Sequence, residues 1–161
     1  MTCAATLRRL RIDDLDQLLG LYAHLYPEDI AEVAPGARAA AWNAILRDDA
    51  QCYLGAFVGD RLVASAFAVV VPNLTRGARS FAIIENVVTD PEHQRHGHGR
   101  AVIDALVEHV FGAGCYKVML QTSSVRDGAH VFYESLGFNG DSKRAFVLRA
   151  ALDQFLSSGA S

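Results

Sequence analysis

The stretch Ile83-Ile84-Glu85-Asn86-Val87-Val88-Thr89-Asp90-Pro91-Glu92-His93-Gln94-Arg95-His96-Gly97-His98-Gly99-Arg100 decides how this chain is read. Its first six residues are apolar and β-branched apart from Glu85 and Asn86, which predicts a strand. Asp90-Pro91 then removes a backbone donor and turns the chain away from the sheet. After Gly97 and Gly99, the residues Val102, Ile103, Leu106, Val110 and Phe111 recur at helical spacing until Gly112 and Gly114 stop the pattern. The order is strand, glycine turn, helix.

A helix entered through glycines presents unpaired N–H groups and the positive end of its dipole, with no Cβ to keep a phosphate away. Arg95 and Arg100 flank that point with full positive charge. Two readings stand: a seat for a phosphate or pyrophosphate, or a tight turn that binds nothing. Position 102, where a dinucleotide fingerprint would place its third glycine, is Val. There is also no Gly-Lys-Ser/Thr for a nucleoside triphosphate loop, so both common nucleotide motifs are weakened.

The stretch resembles the acyl-CoA-binding motif of the GNAT superfamily of N-acetyltransferases. That motif, Gln/Arg-x-x-Gly-x-Gly/Ala, reads here Gln94-Arg95-His96-Gly97-His98-Gly99. It follows a strand ending Val87-Val88-Thr89-Asp90-Pro91, as in the family. A second signature, Tyr-Glu-x-x-Gly-Phe, is matched by Tyr133-Glu134-Ser135-Leu136-Gly137-Phe138. The resemblance implies an α/β (α+β) fold, a single GNAT-like domain over residues 1–161. Its mixed central sheet would have about six to seven strands, with central strands splayed apart, flanked by about four helices. Acetyl-CoA would be the co-substrate. Val87, Val88 and Thr89 would hold its pantetheine arm, and Arg95, His96, Gly97, His98, Gly99 and Arg100 its pyrophosphate. Tyr133 would be the general acid that protonates the departing thiolate. Where many members have an Asn that contacts CoA this chain has Arg126, which could reach a phosphate instead.

Outward from this stretch, the pattern agrees with such a fold. Ala5 to Ile12 predicts a first strand, with Asp13-Asp14 as a helix cap. A helix carries Leu15, Leu18, Leu19, Tyr22 and Leu25 and ends before Pro27. Residues 37–46 predict a second helix, with Trp42 as a packing residue. Cys52 to Val58 and Leu62 to Val71 predict an antiparallel hairpin about Gly59-Asp60-Arg61. Downstream, Tyr116 to Gln121 predicts a strand, and Asp127 caps a helix that Gly137 closes. Ala145 to Leu148 predicts a last strand, and the Ser/Gly/Ala tail after about residue 156 is expected to be disordered.

Glu85 is the candidate base. A carboxylate on a central strand near a gap is partly desolvated, which raises its pKa toward neutrality. The alternative is a strand Glu that faces solvent or pairs with Arg79, and the residues alone leave both open. Glu28, Asp29 and Glu32 fall where the family's substrate loop lies and would attract a cationic amine. Two departures bear on the acceptor. The ribosomal-protein-alanine acetyltransferases have a proton-accepting Glu where this chain has Gln121, and the glucosamine-phosphate acetyltransferases have Leu-Asp-Cys where it has Leu120-Gln121-Thr122. His93, His96 and His98 form a His-x-x-His-x-His cluster without a neighbouring cysteine or carboxylate set, so no metal is expected. Cys115 reads as a small buried hydrophobe and His130 as an exposed helix residue.

With 15 basic and 18 acidic residues, the chain lacks the basic excess that neutralises nucleic-acid phosphates. Three scattered cysteines with no Cys-x-x-Cys pair suit a reducing compartment. No segment reads as a signal peptide or approaches membrane-spanning length, so a cytoplasmic protein with no membrane partner is expected. Together with the resemblance, these features predict an acetyl-CoA-dependent N-acetyltransferase acting on the primary amine of a small molecule by direct attack in a ternary complex. The alternatives are a non-catalytic acyl-CoA sensor domain and an N-terminal protein or peptide acetyltransferase. Pairing of two chains into a homodimer is a further expectation from the family.

Overall fold

The computed structural model describes residues 5–27, 34–122 and 127–148. The chain divides into two compact units, Met1–Gln121 and Thr122–Ser161.

The first unit is a five-stranded sheet in the order β1-β2-β3-β4-β5. Its strands are β1 (Thr6–Arg9), β2 (Gln51–Val58), β3 (Arg61–Val71), β4 (Phe81–Thr89) and β5 (Val118–Leu120). The first four run antiparallel to their neighbours, and β5 lies parallel to β4. Helices α1 (Leu15–Leu25) and α2 (Ala37–Arg47) separate β1 from β2. α4 (His98–Gly112) forms the crossover a parallel β4–β5 pair requires. Between β3 and β4 lies α3 (Thr75–Ala78), a single irregular turn with Arg76, Gly77 and Ala78 at positive φ.

The sheet is covered on both faces, which explains the long apolar runs of β3 and β4. One cluster joins Leu18 and Leu21 of α1 and Trp42 of α2 to Leu10, Phe57, Leu62 and Val88. Trp42 is 2% exposed, and its indole N–H donates to the Arg11 carbonyl at 3.3 Å, so it packs as expected. Val102, Ile103, Leu106 and Val110 of α4 are fully buried, and that helix contacts β2, β3 and β4. Gly55 of β2 leaves room for the core: a Cβ there would displace the terminal methyls of Leu62 and Leu10, both buried.

The second unit contains α5 (Asp127–Ser135) and the segment through Leu148. Two expectations need correction. Ala145–Leu148 forms no strand: Phe146 is 90% and Leu148 99% exposed, without the burial that would repay its ordering. The sheet among the described residues therefore has five strands rather than six or seven, and the helical segments number five with the irregular α3. The Asp13-Asp14 pair also caps differently. The Asp14 carboxylate accepts no capping hydrogen bond from α1; it is buried, accepts the Arg11 N–H at 2.6 Å and binds Arg8 through both oxygens at 2.7 and 2.8 Å. It thereby ties β1 to the turn that starts α1.

Candidate active site

β4 changes character half-way along. Its parallel pairing with β5 covers Ala82, Ile83 and Ile84, and among the described residues that pairing does not continue beyond Ile84. On its other edge, Glu85 lies opposite Phe67 and Val88 opposite Ser65, so two residues, Asn86 and Val87, stand against Ala66. This is a β-bulge, and Asn86 takes up its turn at φ 52°. The bulge keeps Glu85 and Val88 on the same face of the sheet, since their partners Phe67 and Ser65 share a face of β3. That face is the one α1 and α2 cover, where Tyr53 stacks on Phe67 with ring centroids 4.5 Å apart.

Glu85 is half-buried on this face. Burial pushes its carboxyl pKa up, opposed by a hydrogen bond from the Asn86 backbone N–H. Among the described residues Glu85 forms no ion pair. Arg79, the alternative partner, donates to the Arg76 carbonyl at 3.2 Å and sits over the Tyr116 ring. A carboxyl of this kind is a better base than a solvated one, because it holds a proton more tightly when it takes one. Two phenols lie nearby, Tyr22 of α1 and Tyr53 of β2. Burial keeps both un-ionised, Tyr53 being pushed up to about 12.

At the end of β4, the Asp90 carboxylate accepts the Glu92 N–H at 2.9 Å and starts a 3₁₀ turn at Pro91–His93. Its other oxygen takes Arg61 at 2.7 Å, and its N–H donates to the Val63 carbonyl at 2.8 Å. Burial works against ionisation of Asp90, yet the Glu92 N–H, Arg61 and His93 together hold its carboxyl below the usual carboxylate range. Asp90 and Arg61 are the residues that sequence reasoning missed; the Asp-Pro pair, an N-cap followed by proline at the first helical position, was the available signal.

Arg95 and Gly97 then take positive φ, 61° and 83°, and Gly97 is the residue from which α4 begins. Among the described residues no side chain caps that end. A Cβ on Gly97 would meet nothing within 4 Å, so the space before the helix is open. Arg95, His96 and Arg100 are exposed around it. The Nδ1 of His96 is 2.8 Å from the Gln94 carbonyl, and the Gln94 amide reaches back to the Thr89 carbonyl at 3.4 Å. His98 lies 6.0 Å from His96 and 6.3 Å from His93 between ring centroids, and burial followed by these neighbours lowers its pKa. Left-handed residues, open space and an uncapped helix end fit a diphosphate.

Glu85, Val87, Val88, Thr89 and residues 95–100 therefore lie along one continuous β4–turn–α4 segment. Tyr133 belongs to the second unit, on α5. Its carbonyl accepts the Phe138 N–H at 3.1 Å while the Glu134 carbonyl accepts the Gly137 N–H at 2.9 Å, with Gly137 at φ 90°. This is a Schellman cap, and the 6.2 Å contact of the Tyr133 and Phe138 rings is its accompanying apolar contact. The Gly-Phe of the second signature thus ends the helix that carries Tyr133. Glu28, Asp29, Glu32 and Arg126 lie outside the described residues, as does the tail after residue 148. Cys115 is buried, with its thiol pKa pushed up by burial, and His130 is exposed, both as expected.

The sequence model of the Acetyltransferase (GNAT) family matches residues 15–138. The chain belongs to that family. It is 40% identical over 84 residues to a glucosamine 6-phosphate N-acetyltransferase of Trypanosoma brucei brucei, a match spanning 52% of this chain and 55% of that one. It is 31% identical over 137 residues to glucosamine 6-phosphate N-acetyltransferase 1 of Oryza sativa subsp. japonica, covering 84% of this chain and 81% of that one. The structure of an acetyltransferase from Agrobacterium tumefaciens str. C58, described as putative, superposes with a TM-score of 0.84 at 41% identity, covering 90% of this chain and 99% of that one. The chain thus spans about half the length of the first of these relatives and most of the other two. No helix among the described residues is long and apolar enough to cross a membrane.

Proposed function

We propose that this GNAT chain is an N-acetyltransferase that moves the acetyl group of acetyl-CoA to the primary amine of a small molecule in a ternary complex. The observation that carries this reading is the bulged half of β4 running directly into an uncapped helix end flanked by Arg95 and Arg100. A bulge, which interrupts the strand's own ladder, suits an extended amide-containing arm, and the helix end suits a diphosphate.

Acetyl-CoA supplies the activated acyl group. In this reading Val87, Val88 and Thr89 hold the pantetheine through their backbone, and residues 95–100, with Arg126, hold the phosphates. Glu85 takes a proton from the alkylammonium, directly or through a water, so that the neutral amine attacks the thioester carbonyl. Tyr133 gives a proton to the departing thiolate. No metal enters the scheme. Glu28, Asp29 and Glu32 are the proposed attraction for the cationic acceptor, and the names of the relatives make an amino-sugar phosphate the first acceptor to try.

A screen of thiol release from acetyl-CoA tests this, using glucosamine 6-phosphate, other amino sugars, polyamines and N-terminal peptides. Amine-dependent release with one class of free amine is expected. Release with peptides alone would instead favour the N-terminal protein acetyltransferase, and no release with any acceptor would overturn the enzyme. A single protein domain over the whole chain, a cytoplasmic location and pairing into a homodimer remain parts of the proposal.

A further inference from the structure

His96 and His98 flank Gly97, the left-handed residue from which α4 begins, and their surroundings fix what the two rings can offer. The Nδ1 of His96 lies 2.8 Å from the Gln94 carbonyl. A carbonyl only accepts, so Nδ1 carries the ring proton and Nε2 is left as the lone-pair nitrogen of an exposed imidazole. The His98 ring is nearly parallel to that of His96, at 17° and 6.0 Å between centroids, and His93 stands 6.3 Å from His98. The Nδ1 of His93 is sealed from solvent 3.5 Å from an Asp90 oxygen, so that ring belongs to the turn rather than to the open space. The charged groups on the elements packed here are Asp90, Glu92, Arg95 and Arg100 of the turn and helix and Arg61 of β3, with His24 of α1 lining a cavity beside Arg61 and Asp90. Asp90 and Glu92 share Arg61, at 2.7 and 3.4 Å. Among the described residues no carboxylate is therefore paired with His96 or His98, and a proton on either ring meets only cations on the same turn.

We propose that His96 and His98 make the diphosphate seat proton-linked: they join the helix end in holding the ligand only as imidazolium ions, so the chain takes up a proton from solvent as CoA binds. The inference rests on the reading of residues 95–100 as that seat. A phosphate oxygen in an ionised diphosphate is an acceptor, and the neutral Nε2 of His96 is an acceptor too, so the two repel until Nε2 is protonated. The arriving anion is the counter-charge that the turn itself lacks. Backbone N–H groups, Arg95 and Arg100 keep their charge or polarity throughout the histidine range, and the imidazoles add to them at its acid side. Affinity is therefore highest at the acid side of that range and falls as pH rises through it.

The test is titration calorimetry of the full chain with dephospho-CoA, which keeps the diphosphate and lacks the 3′-phosphate, a monoester that itself titrates near neutrality. Run near pH 7 in two buffers of different ionisation enthalpy, the difference in heat counts the protons taken up. About 0.3–1 proton per chain is expected, with Kd weakening about 3–10-fold between roughly pH 6 and pH 8. His96→Gln and His98→Gln are each expected to lower the uptake, and the double variant to abolish it while still binding through the helix end. A heat independent of buffer, with a Kd constant across that range, overturns the proposal, as does an unchanged uptake in the double variant. Were the variants unfolded, the ring C–H signals of the wild-type chain decide by NMR: two histidines whose titration midpoints rise on binding support the proposal, and none that moves overturns it. Absence of binding at every pH is a different failure, since it removes the phosphate seat and the proposal with it.

Discussion

A carboxyl group held half out of water is a poor choice for stability, and Glu85 shows the sign of that cost. Its pKa is raised in the fold, so the fold favours the protonated form. The stability this contributes is fully present below the ordinary carboxylate value and is lost as pH rises through the raised one. Glu85→Gln, which cannot ionise, is therefore expected to melt higher than wild type near pH 7–8 and no higher at acid pH, a comparison made by calorimetry across pH. The same variant should lose about 10²-fold in amine-dependent thiol release at neutral pH, and with it the acid limb of the profile. An equal loss at all pH values would remove Glu85 from the base role. Tyr133 carries the complementary prediction. Tyr133→Phe leaves the Schellman hydrogen bonds of α5 intact, since they use its backbone, so helix content by circular dichroism should be unchanged. Stopped-flow thiol release should show kcat down by about 10²-fold with KM for acetyl-CoA nearly constant, the mark of a group that acts only in the transition state.

At the scale of elements, the join between β4 and α4 is the part that has to be rigid, and Asp90 makes it so. One carboxylate caps the 3₁₀ turn and binds Arg61 at the start of β3. Asp90→Ala should cost roughly 1–2 kcal/mol at neutral pH by urea denaturation, mainly through the lost cap, since Arg61 is half-exposed and its pairing is screened. Because the Asp90 carboxyl pKa is depressed, its contribution is present above the ordinary carboxylate value and lost as pH falls through the depressed one. The difference between variant and wild type should accordingly shrink toward strongly acid pH; a constant difference would mean that the charge is immaterial. Much of this element was legible. The β-branched run, Asp-Pro and the paired glycines located β4, the turn and the Gly97 entry into α4, because each has a local steric cause. The bulge at Asn86 was not legible, since it depends on which residues of β3 stand opposite. Arg61 was hidden for the same reason, its partner lying 29 residues away. The expected strand at Ala145–Leu148 failed because a short apolar run becomes a strand only where an edge and a face receive it.

For the whole molecule, the two readings of the chain divide on whether binding is coupled to turnover. Either one predicts that CoA binds the folded state alone, through a helix end and two arginines, and so stabilises it. At 100 times the dissociation constant the gain is about 2.7 kcal/mol, or about 5–11 °C in Tm for a chain of this size. Arg95→Ala and Arg100→Ala should each shift the CoA dependence of Tm to higher concentration and should do so less as salt rises, since exposed charges are screened. Family membership and a fitting phosphate seat are satisfied equally by an enzyme and by an acyl-CoA sensor, so the shift alone does not separate them. The separating quantity is the ratio between two readouts of one variant. In an enzyme, Tyr133→Phe keeps the full CoA-induced rise in Tm while losing thiol release, because a group that donates a proton to the leaving sulfur contributes little to ground-state affinity. In a sensor there is no amine-dependent release to lose, with the wild type as with the variant. Wild-type chain that shows the full thermal shift with CoA and no thiol release with any amine or peptide would assign this domain to binding alone.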